Sequence, residues 1–204
     1  GLPEYVMIFS LAVSFFYILF VVQPFLYAHQ VQAPFLTTKT FFKSFLQFPG
    51  EPAEYIASFF MQLFFSPLPG TIFFTLVSGL QLLFTFFLLK NITKNVFTPL
   101  LALPTFIFAV TLANNYNLPF SIEISVLLIL AALLVTFTLA KNIFSLMLIS
   151  IFAALSIYYI SGSGYFLLFS VSAAILPFNL KTRERVFLIL FLTAFAIVFP
   201  WFAA

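Results

Sequence analysis

The sequence predicts an all-α, polytopic transmembrane bundle of about seven crossings, with two amphipathic interfacial helices in its first outer loop. Three observations predict it. The 204 residues are 64% hydrophobic and 6% charged, with a mean hydropathy of +1.21, more apolar than a water-covered surface accommodates. Apolar runs recur at the length needed to cross hydrocarbon, about 20 residues each. The cations gather in alternate connections between those runs, which is how cytoplasmic loops are marked. Residues 1–204 read as one transmembrane domain. Because they open at Gly1 without Met and stop at Ala204 inside an apolar stretch, they also read as part of a longer chain.

The predicted crossings, in order, are Tyr5 to Val22, Thr71 to Leu89, Phe97 to Ala113, Ile122 to Ala140, Ile143 to Ile160, Tyr165 to Leu180 and Val186 to Ala204. The first follows a glutamate rather than a basic cluster and lacks a small-residue cleavage pattern, so it is a retained helix and not a signal peptide. The third carries Pro99 and Pro104, and the sixth is short and carries Pro177. Proline is tolerated in a spanning helix where neighbours satisfy the freed carbonyls. Lys90, Lys94, Lys141, Lys181, Arg183 and Arg185 fall in three connections that share one side when the count is seven. That side is expected to be the cytoplasm, with the N-terminus inside and residues 23–70 outside. Lys39 and Lys43 dissent, but long loops obey the rule poorly.

Residues 23–70 hold two helical patterns. In "TTKTFFKSFLQF" the apolar positions are Phe41, Phe42, Phe45 and Leu46; in "PAEYIASFFMQLFF" they are Ile56, Phe59, Phe60, Leu63 and Phe64, opposite a polar stripe of Glu54, Ser58 and Gln62. Both are too short and too polar to span, and lie as interfacial helices with their aromatic faces toward the membrane. Glu51 and Glu54 are two of only five carboxylates. Pro52 is a favoured first helical residue, so both glutamates belong to the first turn, where they complement the exposed N–H groups and the helix dipole. The sharper alternative is a site at the outer leaflet. There Glu51 and Glu54 are the candidate catalytic residues, and Gln23, His29, Gln30, Tyr55, Phe59 and Phe60 the candidate partner or lipid contacts.

Several classes lose support. The chain has no cysteine, which removes disulfides and thiolate metal sites, and no motif implies a metal or another cofactor. No ionisable residue sits mid-crossing: Glu123 is placed at the outer end of the fourth, and Gln81 is the most polar side chain well inside one. Proton-coupled transporters and voltage sensors therefore rank low. A channel or lipid transporter requires Gln81, Ser125, Thr136 and Thr138 to line a common cavity. "SGSGY", residues 161–165, reads as a tight outer turn permitted by its glycines. The 34 phenylalanines read as lipid-facing bulk. A net charge of +3 that belongs to membrane orientation does not imply nucleic acid.

Two resemblances accompany these residues. One crossing, a long outer loop with two juxtamembrane helices, then closely spaced apolar helices, resembles the start of the GT-C glycosyltransferases that use polyprenyl-phosphate sugars. That class uses an acidic residue of the first outer loop as base or metal ligand; with no Asp in the chain, only Glu51 or Glu54 matches. "QPFLYAHQ", "FPGEPAEYIASFFMQLFF" and "YYISGSGYFLLF" are similar to stretches of a multi-pass bacterial inner-membrane family of unknown function, which implies the bacterial inner membrane and no activity. The expected role is a membrane subunit or anchor that docks a protein partner or lipid at the outer face without its own catalysis. The alternative is the membrane part of a lipid-linked, GT-C-like transferase.

Overall fold

The structure, a computed structural model, describes residues 2–26, 35–93, 98–112, 114–140, 142–176 and 182–203. Among these residues the fold is all-helical, as the apolar periodicity and scarcity of turn residues require. Helix α1 (Leu2–Tyr17) runs into a wider π turn (Ile18–Val22) that stops at Gln23, in the left-handed region at φ 47°. Two short helices follow, α2 (Lys39–Ser44) and α3 (Glu51–Met61), and a 3₁₀ turn at Gln62–Phe65 leads onward. The long helices are α4 (Pro67–Thr93), α5 (Thr98–Leu112), α6 (Ser121–Leu139), α7 (Ile143–Ser161), α8 (Ser163–Ile175) and α9 (Thr182–Ala203).

Four segments are long and apolar enough to cross a membrane: Tyr5–Val22, Pro67–Ile92, Ser121–Leu139 and Ile143–Ser161. Leu100–Leu112, Ser163–Ile175 and Val186–Phe195 are shorter apolar helices. The expectation of seven spans is thus carried at full length by four. α4 starts earlier than expected because Pro67 and Pro69 sit in its first turn, where proline forfeits no intrahelical bond. α8 ends earlier, at Ile175: Leu176 turns extended (ψ 133°), the conformation imposed on a residue that precedes proline. The remainder of the sixth predicted crossing, residues 177–180 with Pro177, lies outside the described residues, as do Lys94, Lys141 and Lys181.

The helices pack as neighbours in chain order, α4 on α5 and α6, α6 on α7, α7 on α8, and α8 on α9, while α1 leans on α4 and α5. One core joins α6 to α9, centred on Phe166, Phe169, Ala173, Leu188 and Leu192. A second gathers Ile18, Val22, Ala57, Met61, Phe64, Phe74 and Phe120 where α3 meets the bundle. Phe64 is fully buried there, edge-on to Phe120 at 5.1 Å.

Helix α3 docks differently from the expectation. Its buried stripe is Pro52, Ala53, Ala57 and Met61, whereas Phe59 is half exposed and Phe60 stacks on Phe73 of α4 at 4.5 Å. Small residues on the inner side let the α3 backbone approach α6 and α7 closely, which an aromatic inner side would prevent. The apolar side of α2 also turns onto protein: Phe41, Phe42 and Phe45, together with Phe35, surround the Tyr55 ring at 5.1–6.2 Å.

The α3 entry is held by backbone. Gly50 donates its N–H to the Tyr159 carbonyl (3.0 Å), and the Tyr159 hydroxyl donates to the Leu46 carbonyl (3.1 Å). Gly50 (φ 100°) faces Gly162 (φ 94°), and a Cβ on either would stand 3.5 Å from the other's Cα. That spacing would admit a methyl group; the positive φ would not, because L-residues rarely occupy it. Gly162→Ala is therefore expected to cost about 1–3 kcal/mol. It should lower the Tm in detergent and speed tryptic cleavage at Lys39 and Lys43, while an unchanged Tm would show the corner to be pliable.

Candidate functional site

The docking of α3 closes one wall of a polar cleft of about 420 Å3 at this end of the bundle. Three helix starts converge on it. Glu51 and Glu54 come from the first turn of α3, Ser121 and Ser125 from α6, and Ser163, Gly164 and Tyr165 from α8; Ser161 closes the end of α7. The local sequence explains each placement. The run Pro49-Gly50-Glu51-Pro52 is a turn followed by an N-terminal proline, so it breaks one helix and starts the next. Ser161-Gly162-Ser163-Gly164 reverses the chain between α7 and α8 at a single positive-φ glycine.

All three starts are poorly capped. Gly50, Phe120 and Gly162 are the N-cap residues of α3, α6 and α8, and none supplies a side-chain cap bond. The contrast within the chain is α7, where Asn142 and Ser145 form a reciprocal capping box. First-turn amides have no intrahelical carbonyl to bond. Glu51 and Glu54 offer carboxylates to the α3 terminus, as the sequence predicts; α6 has Glu123 in its first turn, and α8 has no acidic residue there.

Two of the buried, unpaired polar atoms among the described residues belong to this cleft. Ser161 is 7% exposed and its Oγ has no partner, and Glu51 Oε2 is likewise buried and unpaired. Ser125, buried behind the mouth, is hydrogen-bonded to Tyr165. No Lys or Arg among the described residues lines the cleft, and no cluster of three or more His, Asp or Glu is placed to hold a metal among them.

Beside this cleft lies a cross-link that the sequence does not reveal. Glu123 stands in the first turn of α6, at the helix end expected for it, yet it is only 4% exposed, and Gln81 Nε2 donates both to its Oε2 (2.8 Å) and to its backbone carbonyl (3.0 Å). Gln81 is itself buried at 1% exposure, and stands near the midpoint of the 27-residue α4. The reason is a difference in length. α4 projects beyond the start of α6, so the first turn of α6 meets α4 well inside the bundle, with Phe120 against Phe74 at 5.5 Å. The sequence marks Gln81 as the most polar side chain well inside a crossing and Glu123 as a carboxylate at the outer end of another, but nothing in a linear sequence pairs positions 42 apart.

The remaining candidates scatter. Gln23 is exposed and its Nε2 donates to the Phe20 carbonyl, and Tyr55 is occupied by the aromatic cluster. Phe59 and Phe60 are absent from the cleft lining, and His29 and Gln30 lie outside the described residues. The four residues proposed for a channel do not share a cavity. Gln81 is bound to Glu123, Thr136 and Thr138 donate to the carbonyls of Ala132 and Leu134 in their own helix, and only Ser125 reaches the cleft.

Removing the donor should be worse than neutralising the acceptor. Gln81→Leu leaves a buried carboxyl without its hydrogen bond and is expected to destabilise by about 1–3 kcal/mol. Glu123→Gln keeps an oxygen acceptor and the side-chain volume and is expected to cost less. Thermal unfolding of the two variants in detergent checks the order.

Comparison with known proteins places this architecture in one group. No curated protein and no solved structure matches the chain. A family of unknown function, DUF6057, matches residues 2–204. The match takes in the helices, the α3 docking segment and the cleft in full, and the chain belongs to the DUF6057 family.

Proposed function

We propose that this chain is a multi-pass membrane protein whose work is to hold a small polar ligand, lipid-borne or soluble, in the cleft between α3, α6 and the α7–α8 turn. The carrying observation is the convergence of Glu51, Glu54 and Ser161 with two uncapped helix starts on one 420 Å3 cavity. That volume lies within the roughly 300–1,000 Å3 of small-molecule sites, and a concave polar cleft suits a compact group better than a flat protein surface does. The expected outer-face docking role narrows in this way from a protein partner or lipid to a ligand that enters the cleft.

The cleft belongs, in this proposal, to the extracytoplasmic end in a bacterial inner membrane. Lys90 ends α4 at the far end of the bundle, and the remaining clustered cations fall in or beside the connections that follow α4, α6 and α8. Cytoplasmic enrichment of Lys and Arg supports putting that end inside. In spheroplasts of the Gly162→Ala variant, protease added outside should reach Lys39 and Lys43 and spare Lys90; the reverse would invert the topology.

The first test is what the protein carries. Full-length protein purified in mild detergent should elute with a stoichiometric small molecule or lipid by mass spectrometry, and Ser163→Trp, at an exposed position on the rim, should lose most of it. A stoichiometric protein partner with nothing in the cleft would restore the docking-subunit role instead.

A second reading has one observation in its favour: the two glutamates expected to supply a base in a lipid-linked, GT-C-like transferase do line the cavity. If a lipid-linked substrate is turned over, Glu51→Gln or Glu54→Gln should lower the rate by about 100-fold or more, as loss of a general base does. A change below tenfold in both would leave the glutamates to binding and capping.

A further inference from the structure

The polarity of the cleft walls narrows the ligand further, an inference that rests on the ligand-holding role above. One wall is acidic, Glu51 and Glu54 on the first turn of α3. The facing wall carries helix starts. α6 and α8 begin there with N-caps Phe120 and Gly162, which make no side-chain cap bond; α6 carries Glu123 in its first turn and its Ile122 N–H is bonded to the Pro119 carbonyl, whereas α8 has no first-turn acid. Unsatisfied amides and the positive end of the dipole make the start of α8 favourable to an anionic group, whereas α3 and α6 carry carboxylates in their own first turns.

Neither wall suits a ligand of a single charge sign. An anion alone would meet two carboxylates with no Lys or Arg among the described residues of the cleft to offset them. A cation alone would leave the amide wall uncovered. Ser161 is more than nine-tenths buried with its Oγ unpaired, and Glu51, which lines the same cleft, has its Oε2 buried and unpaired. An unpaired carboxyl oxygen needs a donor, and a hydroxyl oxygen accepts one readily. A primary ammonium carries three N–H donors and no acceptor, enough for both atoms at once; a quaternary ammonium carries none.

We propose that the cleft takes a primary-ammonium phosphate zwitterion of the phosphoethanolamine type, its ammonium on Glu51, Glu54 and Ser161 and its phosphate at the start of α8. The same chemistry is offered by the headgroup of phosphatidylethanolamine and by soluble O-phosphoethanolamine. Helices of spanning length on either side of the cleft, α6 and α7, put it within reach of a lipid head.

The test uses the wild-type full chain in detergent micelles containing equal amounts of phosphatidylethanolamine, phosphatidylcholine and phosphatidylglycerol, repurified and its retained lipid quantified. Phosphatidylethanolamine is expected to be enriched about tenfold over the other two, the size of one charge-assisted hydrogen bond. The enrichment should fall to the bulk ratio in Ser161→Ala and in the double variant Glu51→Gln/Glu54→Gln, each checked for an unchanged elution volume. Displacement of the retained lipid by millimolar O-phosphoethanolamine would show that the headgroup is what is recognised. A Tm rise with O-phosphoethanolamine and no lipid enrichment would assign the soluble source. Equal or greater retention of phosphatidylglycerol, which lacks the amine, overturns the zwitterion assignment while leaving a ligand in the cleft. No enrichment of any lipid and no response to O-phosphoethanolamine overturns both.

Discussion

The contact on which the functional end depends is between two backbones. Gly50 and Gly162, both at positive φ, lie face to face, and the Gly50 amide is bonded to the Tyr159 carbonyl. This joins a segment near residue 50 to a turn more than 100 positions later. Everything polar at this end follows from it: α3 is brought down on its Ala53–Ala57–Met61 stripe, its carboxylates face the α7–α8 turn, and the cleft acquires its acidic wall. Without the contact Glu51 and Glu54 would be an ordinary capped helix start in water.

A second long-range restraint sets the depth of the pieces. Gln81 and Glu123 are buried polar groups paired across the bundle, and an amide that bonds both the carboxyl and the backbone carbonyl of one residue fixes the axial offset of α4 and α6. Apolar packing alone is tolerant of sliding, since leucine and phenylalanine repack at modest cost. A directional hydrogen bond is not tolerant, because breaking it leaves a buried polar atom unsatisfied. Residues such as Ser14, Thr71 and Ser78 take the opposite course and donate to carbonyls three or four residues back in their own helix. They satisfy themselves locally and restrain nothing across the bundle.

The aromatic residues divide by location rather than by type. Many phenylalanines, among them Phe9, Phe16, Phe20, Phe144 and Phe152, remain largely exposed on helices of spanning length, which agrees with lipid-facing bulk. Others do specific packing: Phe64, Phe73, Phe74 and Phe120 form one ring cluster beneath α3, and Tyr158, Phe166, Phe195 and Phe199 another between α7, α8 and α9. Offset and edge-on rings contribute beyond their buried area, and here they seat the elements that carry the cleft.

Composition and periodicity by themselves determined the class of this protein: an all-helical chain with spanning-length apolar segments, helix ends within a few residues of Pro67, Ser121, Ile143 and Ser161, and glutamates in the first turn of α3. These are local quantities, set by hydropathy over one helix and by the chemistry of proline, glycine and serine at its ends. Only the tertiary structure decided which side of α3 is buried, that Glu123 is interior and paired with Gln81, and that "SGSGY" is a wall of a cleft as well as a turn. Each of these depends on which residues distant in sequence share a plane across the bundle, and helical periodicity is silent about axial offset between helices. For the same reason Gln23 and Tyr55, equally polar or aromatic and in the same loop as Glu51, could not be told apart from it by sequence. One ends a π turn, one fills a ring cluster, and only the glutamate was carried to the cleft by the glycine contact beside it.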